Sequence, residues 1–287
     1  MRAGSGVREL AGARSEGDTI GDSGAVRHRS GARGPDRGTQ TPFLIEAGAM
    51  PTKQNPPDPA ENRPALRVTG LVFSYPGSSE PTVRVGSLSL DAGEQVVLTG
   101  SSGRGKSTLL HLIAGLMEPD RGEVEVAGTV IGSLRGSARD RFRGRQIGMV
   151  FQTFHLLHGF SAAENVMAAM MFSDRPRSEH KARAIALLER LGIDRPHAPG
   201  EDLSVGQQQR VAVARALACG PSLVLADEPT ASLDPENAAE AVRLLRETCR
   251  ENNAALLCVT HDPSLVGLFD RHESLDALAQ PAALAGV

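Results

Sequence analysis

The segment that most restricts this chain is residues 100–107, Gly-Ser-Ser-Gly-Arg-Gly-Lys-Ser. It fits G-x-x-x-x-G-K-[ST], a pattern whose glycines let successive backbone N–H groups turn inward around a phosphate. The flanks supply the context such a loop needs. Residues 94–99 are a short apolar run rich in β-branched side chains, as in a buried strand, and residues 107–114 follow with helical spacing. The order strand, glycine turn, helix aims the positive end of a helix dipole at the loop. Gly100, Ser101, Ser102, Gly103, Arg104, Gly105 and Thr108 are the candidate contacts to a bound nucleotide. Lys106 supplies a mobile cation for the β- and γ-phosphates, and Ser107 a hydroxyl for Mg²⁺.

A second apolar strand, residues 222–227, ends in Asp227 and Glu228. Parallel α/β sheets bind ligands at the carboxyl ends of their strands. Asp227 is therefore expected beside the phosphate loop, holding Mg²⁺ directly or through water. Glu228 is expected to orient and deprotonate an attacking water. The plainer alternative is a solvated acidic strand end. A third strand, residues 256–259, leads to His261, which would fall at the same sheet edge and donate to charge developing on a γ-phosphate. Tyr75 is the one tyrosine in a chain without tryptophan. Before Pro76-Gly77 it stands at a strand end where a base could stack, unless it is simply a core aromatic.

A rarer stretch, Leu203-Ser-Val-Gly-Gln-Gln-Gln-Arg210, completes the set. Together these residues resemble the ATP-binding subunits of ABC transporters. Residues 100–107 are similar to Walker A, and 223–228 to Walker B with its catalytic Glu228. Residues 203–207 are similar to the signature motif, Gln152 to the Q-loop glutamine, 232–234 to the D-loop, His261 to the switch histidine and Tyr75 to the A-loop aromatic. All occur in the family's order, over roughly residues 66–265.

The resemblance implies an α/β fold: a P-loop NTPase core of ABC type with an antiparallel β subdomain and an inserted α-helical subdomain. It implies ATP and Mg²⁺ as ligands, with Gln152 joining Ser107 and Asp227 at the metal. Lys106, Gln152, Glu228 and His261 would carry the chemistry. ATP would lie sandwiched head to tail between two subunits, so that Ser204, Gly206, Gln207 and Asp234 of one face the phosphate loop of the other. One copy of each motif implies a homodimer or a pair with a sibling ATPase. Membrane (permease) subunits would be separate, and this chain cytoplasmic and peripheral on the cytoplasmic face of the cell membrane. Two other readings are a soluble ABC ATPase of DNA repair or translation and a non-hydrolysing ATP clamp.

Residues 143–166 resemble the ATPases of lipoprotein-releasing and macrolide-export systems. On that resemblance Phe154, Leu156, Leu157 and Phe160 would line a groove that grips a coupling helix of the membrane subunit; the alternative is that they pack a subdomain core. Two departures carry expectations. Val205 replaces the usual first glycine of the signature, where a β-branched residue would stiffen a turn and reject positive φ, slowing turnover. Ser204 and Gly206 would precede a helix over 207–218. Arg104 replaces a small residue and is expected to point to solvent.

Residues 1–64 are rich in Gly, Arg, Ser and Pro with little apolar periodicity, and read as a disordered extension, with Met50 as an alternative start. The nucleotide-binding domain then runs over 65–287, with its helical subdomain at about 152–218. Further helices are expected at 178–191 and 238–250. The closing strand near 270–274 is polar and weak. A net charge of −3, from 31 basic and 34 acidic residues, gives no reason to expect nucleic-acid binding. Arg139, Arg141, Arg143 and Arg145 read as a solvated face. Cys219, Cys249 and Cys258 have no metal spacing and suit a reducing compartment. No apolar run approaches the roughly 20 residues that span a bilayer.

Overall fold

A computed structural model describes residues 63–101 and 103–279. The extension read over 1–64, apart from its last two residues, and Ser102 of the phosphate loop lie outside the described residues. In chain order the elements are β1 (Leu66–Phe73), β2 (Val83–Leu90), β3 (Gln95–Thr99), α1 (Lys106–Ile113), β4 (Arg121–Val126), β5 (Thr129–Val130), α2 (Gly136–Gln146), β6 (Ile147–Val150) and α3 (Ala162–Met170). Then follow α4 (Arg177–Arg190), α5 (Val205–Leu217), β7 (Leu223–Asp227), α6 (Pro235–Glu251), β8 (Ala255–Val259), α7 (Pro263–Val266), β9 (Arg271–Ser274) and α8 (Leu275–Leu278).

Two sheets result. One is antiparallel, ordered β2-β1-β4-β5, with Leu66 opposite Leu90 and Val126. Its strands alternate, burying Leu66, Val68 and Leu71 while Arg67 and Thr69 face water, as a sheet with one wet face requires. The β1–β4 register shifts between Thr69 and Val72. There Gly122 has φ 85°, and a Cβ on it would lie 2.3 Å from the Gly70 carbonyl oxygen, so the crossing admits glycine alone.

The other sheet is parallel, ordered β6-β7-β8-β3-β9. Its inner strands are apolar throughout because both faces are covered. Successive residues of β3 and β8 feed opposite cores. Val97, Leu256 and Cys258 pack with α3, α4, α5 and α6, whereas Val96, Leu98 and Leu257 pack with α1 and the antiparallel sheet. Each such buried side chain contributes roughly 1.5–3 kcal/mol. Three helices, α3 to α5, fill the chain between β6 and β7.

One expectation changes. The polar stretch near residue 270 does form a strand, β9, parallel to β3 at the sheet's edge. Polarity suits an edge, and charge replaces apolar burial there: Arg271 donates to the Ser89 carbonyl at 2.8 Å, to Glu94 at 2.9 Å and to Glu273 at 2.9 Å. The arginine run lies on α2, which buries no residue, and most of it is paired. Arg139 folds back onto Glu118 at 2.7 Å, Arg143 onto Asp140 at 2.8 Å, and Arg145 onto Asp174, leaving Arg141 exposed.

Candidate functional site

The carboxyl ends of β3, β7 and β8 lie side by side, and the residues after each strand meet there. After β3, the phosphate loop turns through Gly103 at φ 77° and Gly105 at φ 90°. Gly105 is required twice over, because a Cβ would also sit 2.5 Å from the Thr82 carbonyl oxygen. Lys106, only 7% exposed, folds back so that its Nζ donates to the carbonyls of Gly100 at 2.8 Å and Ser101 at 3.1 Å. The Ser107 hydroxyl donates to Asp227 Oδ1 at 3.1 Å. Burial pushes the Asp227 carboxyl above the usual range; the Ser107 hydrogen bond opposes this and the Glu228 charge adds to it.

Glu228 follows with φ 45°, left-handed for a residue with a Cβ. Its N–H donates to the Val259 carbonyl at 3.0 Å, which ties the end of β7 to the end of β8. Its Oε2 accepts from the His261 backbone N–H at 3.2 Å and lies 2.9 Å from His261 Nδ1. Tyr75 stands two residues beyond β1, 44% exposed, edge-on to Phe73, with its hydroxyl 3.2 Å from Thr108 Oγ1. Tyr75, Lys106, Ser107, Gln152, Glu228 and His261 line one cavity of about 370 Å³. The candidates from five separate stretches of sequence thus meet in one place.

Ser204, Gly206, Gln207 and Asp234 are not among the residues that line this cavity. Ser204 caps α5: its hydroxyl accepts from the Gln207 N–H at 3.3 Å, and Gln207 Oε1 accepts from the Ser204 N–H at 3.0 Å. Asp234 caps α6 by accepting from the Asn237 N–H at 3.1 Å. The helix therefore begins at Val205, and both Val205 and Gly206 lie inside it rather than before it. Val205 is 47% exposed and needs no positive φ, so the expected strain is absent. Arg104 is largely exposed, 3.9 Å from Asp276.

Ser107, Asp227 and Gln152 offer hydroxyl, carboxylate and amide oxygens. That set fits Mg²⁺, which takes hard oxygen donors, uses one or two carboxylates and keeps places for water and phosphate. Among the described residues no group of three or more His, Cys, Asp or Glu side chains could hold a metal on its own.

Two features escaped the sequence. Arg215, half-buried on α5, donates to the Phe154 and His155 carbonyls at 2.6 Å each, and burial pushes its pKa down. An arginine in the apolar run 211–217 was the available signal. Arg215 also borders a second cavity, of about 560 Å³, walled by Leu116, Met149, Phe151 and Phe172. Phe154, Leu156, Leu157 and Phe160 do not line it; Leu156 packs on the core and Leu157 and Phe160 are exposed.

The sequence pattern of the family described as ABC transporter matches residues 83–231. The chain belongs to this family. The lipoprotein-releasing system ATP-binding protein LolD of Chromohalobacter salexigens is 42% identical to it over 221 residues, covering 76% of this chain and 93% of that protein. The protein of the same description from Psychrobacter arcticus is 46% identical over 187 residues, 64% of this chain and 82% of the relative. A bacterial ABC transporter cassette solved as a dimer superposes with TM-score 0.65 and 31% identity over 73% of this chain and 93% of that one. A dimeric post-hydrolysis state of an ABC cassette, bound to ADP and Pi, superposes with TM-score 0.64 and 31% identity over the same shares. The chain is an ABC ATPase with the mixed α/β fold of these cassettes, and it binds nucleotide. Among the described residues no helix is long and apolar enough to cross a membrane.

Proposed function

We propose that this chain is the ATP-hydrolysing subunit of a lipoprotein-releasing transporter, working as a dimer on the cytoplasmic face of a membrane and driving separate permease subunits. The observation that carries the catalytic part is the Glu228–His261 pair, held at 2.9 Å across the cavity that Lys106 and Ser107 also line. Adenine stacks on Tyr75. The N–H groups of residues 100–108, with Lys106, hold the phosphates and remove the need for solvent to reorganise around them. Ser107, Asp227 and Gln152 hold Mg²⁺, which when bound neutralises charge on the β- and γ-phosphates. Glu228 takes a proton from the attacking water, and His261 orients the carboxylate and donates to the γ-phosphate oxygens.

Ser204, Gly206, Gln207 and Asp234 serve a second subunit's ATP, head to tail. That none of them lines this chain's own cavity supports that reading, as does the dimeric cassette it resembles. The apolar cavity beside the Gln152 segment is the seat for a coupling helix of the permease. Residues 152–218 form the helical subdomain, which contributes Ala169, Phe172, Arg215 and Ala216 to that seat. Likeness to the two LolD proteins supports the lipoprotein-releasing class.

The test is Glu228→Gln. It should keep ATP binding, slow hydrolysis by roughly 100-fold or more, and accumulate an ATP-bound dimer on size-exclusion chromatography with Mg²⁺-ATP. Ordinary turnover in this variant would remove Glu228 from the role of base.

A further inference from the structure

Glu228 holds a backbone conformation that a side chain with a Cβ does not adopt freely. Such conformations persist where the surroundings over-determine them. On the amino side the holder is β8: the Glu228 N–H donates to the Val259 carbonyl at 3.0 Å. Within the turn, the Glu228 carbonyl accepts from the Ala231 N–H at 3.1 Å. On the carboxyl side stands Pro229. A proline has no N–H, so its carbonyl is the one backbone group by which it can be anchored.

That carbonyl accepts from Gln209 Nε2 at 2.6 Å, across twenty residues of sequence. Gln209 is 2% exposed. A carbonyl can only accept, so the amide nitrogen must face it, and Oε1 is turned away. Oε1 is buried and has no hydrogen-bond partner. The residue borders a cavity of about 30 Å³ between α5 and α6, beside Val213 and Leu233. A methionine would occupy the same volume without stranding a carbonyl, and buried stranded carbonyls are uncommon because they destabilise. Packing therefore does not account for a glutamine here, whereas its short hydrogen bond to Pro229 does.

We propose that Gln209 is a positioning residue for Glu228: its amide pins the Pro229 carbonyl next to the left-handed residue, making α5 part of the holder of the carboxylate. This rests on the proposed role of Glu228 as base. It has a directional consequence. The helix that carries Gln209 is the one that Ser204 caps one and a half turns earlier. On the head-to-tail reading, a partner's nucleotide settling on that cap reaches this chain's own base through one side chain.

The test is Gln209→Met, close in size and without a donor. Expected are a kcat lower by roughly tenfold, as small misplacements of a reacting group produce, with the KM for ATP unchanged because Lys106 and Tyr75 are untouched. The melting temperature should stay within about 3 °C. In a Glu228→Gln background, single-turnover hydrolysis should be slowed no further by Gln209→Met, since the group being positioned is already gone. Unchanged kcat in the single variant overturns the proposal. So does equal slowing in both backgrounds, which would make Gln209 a general support of the fold. If Gln209→Met does not fold, Gln209→Leu is read by the same criteria. Ordinary turnover in Glu228→Gln alone would instead sink the base assignment, so the two failures are distinguishable.

Discussion

Two cavities flank the short segment 151–155, and they differ in kind. The first is polar and is built from backbone: strand ends, a glycine loop and a left-handed glutamate, with Lys106, Glu228 and His261 facing inward. The second is walled by Leu116, Met149, Phe151 and Phe172, whose side chains come from four different elements and loops. Phe151 and Gln152 are sequence neighbours, yet one borders the apolar cavity and the other the polar one. A site anchored to five hydrogen-bonded strands suits chemistry that tolerates little displacement. A hollow between core and helices suits a partner that moves one against the other. Arg215 borders the apolar cavity and holds the carbonyls of Phe154 and His155, in the segment that follows Gln152.

The sharpest way to break this contrast is through Ser204, which lines neither cavity. Ser204→Arg should abolish hydrolysis while leaving ATP affinity of the isolated monomer unchanged; lost monomer binding, measured by calorimetry, would contradict the trans arrangement. Next in size is Gly105→Ala. Its Cβ would press on the Thr82 carbonyl at 2.5 Å in a left-handed backbone, so ATP affinity should fall by roughly 5- to 150-fold, given a strain of about 1–3 kcal/mol. Retained affinity would show that the loop relaxes more easily than its geometry indicates.

Phe172→Asp probes the other cavity. Phe172 is 55% exposed, so stability and basal ATPase should hardly change, while stimulation by reconstituted permease subunits should fall several-fold. A drop in basal rate instead would erase the distinction between the cavities. Smallest is Val205→Gly. With Val205 in the first turn of α5, glycine relieves nothing and costs about 0.5 kcal/mol of helix stability; turnover should match the parent in a steady-state assay.

That last expectation reverses the one drawn from sequence, and the reason is instructive. The family's usual glycine suggested a turn at 205. Ser204 followed three residues later by Gln207 is itself a capping-box pattern, and it would have started the helix at Val205. The phosphate loop, the Asp227-Glu228 strand end and His261 were legible because each follows an apolar strand and parallel strands deliver their ends to one edge. The strand β9 was not, since its stability comes from Arg271 reaching Glu94 and Ser89, partners more than 170 residues away. Gln209 and Arg215 were hidden for the same reason: each bonds a backbone carbonyl that only the folded chain brings near. The apolar cavity was sought after Gln152, whereas Met149 and Phe151 just before it form the wall.

The strand β9 has a consequence for how the protein behaves in a crowded cell. It occupies the outer edge of β3, whose Val96, Val97 and Leu98 are fully buried. If β9 peels away, β3 presents a row of free backbone donors and acceptors on an apolar ribbon, which is the template on which chains add to one another. Four polar residues thus guard against aggregation, and two of them, Arg271 and Glu273, are held by charge pairs that salt screens. Fraying at this edge, rather than melting of the core, would set the onset of precipitation at high ionic strength.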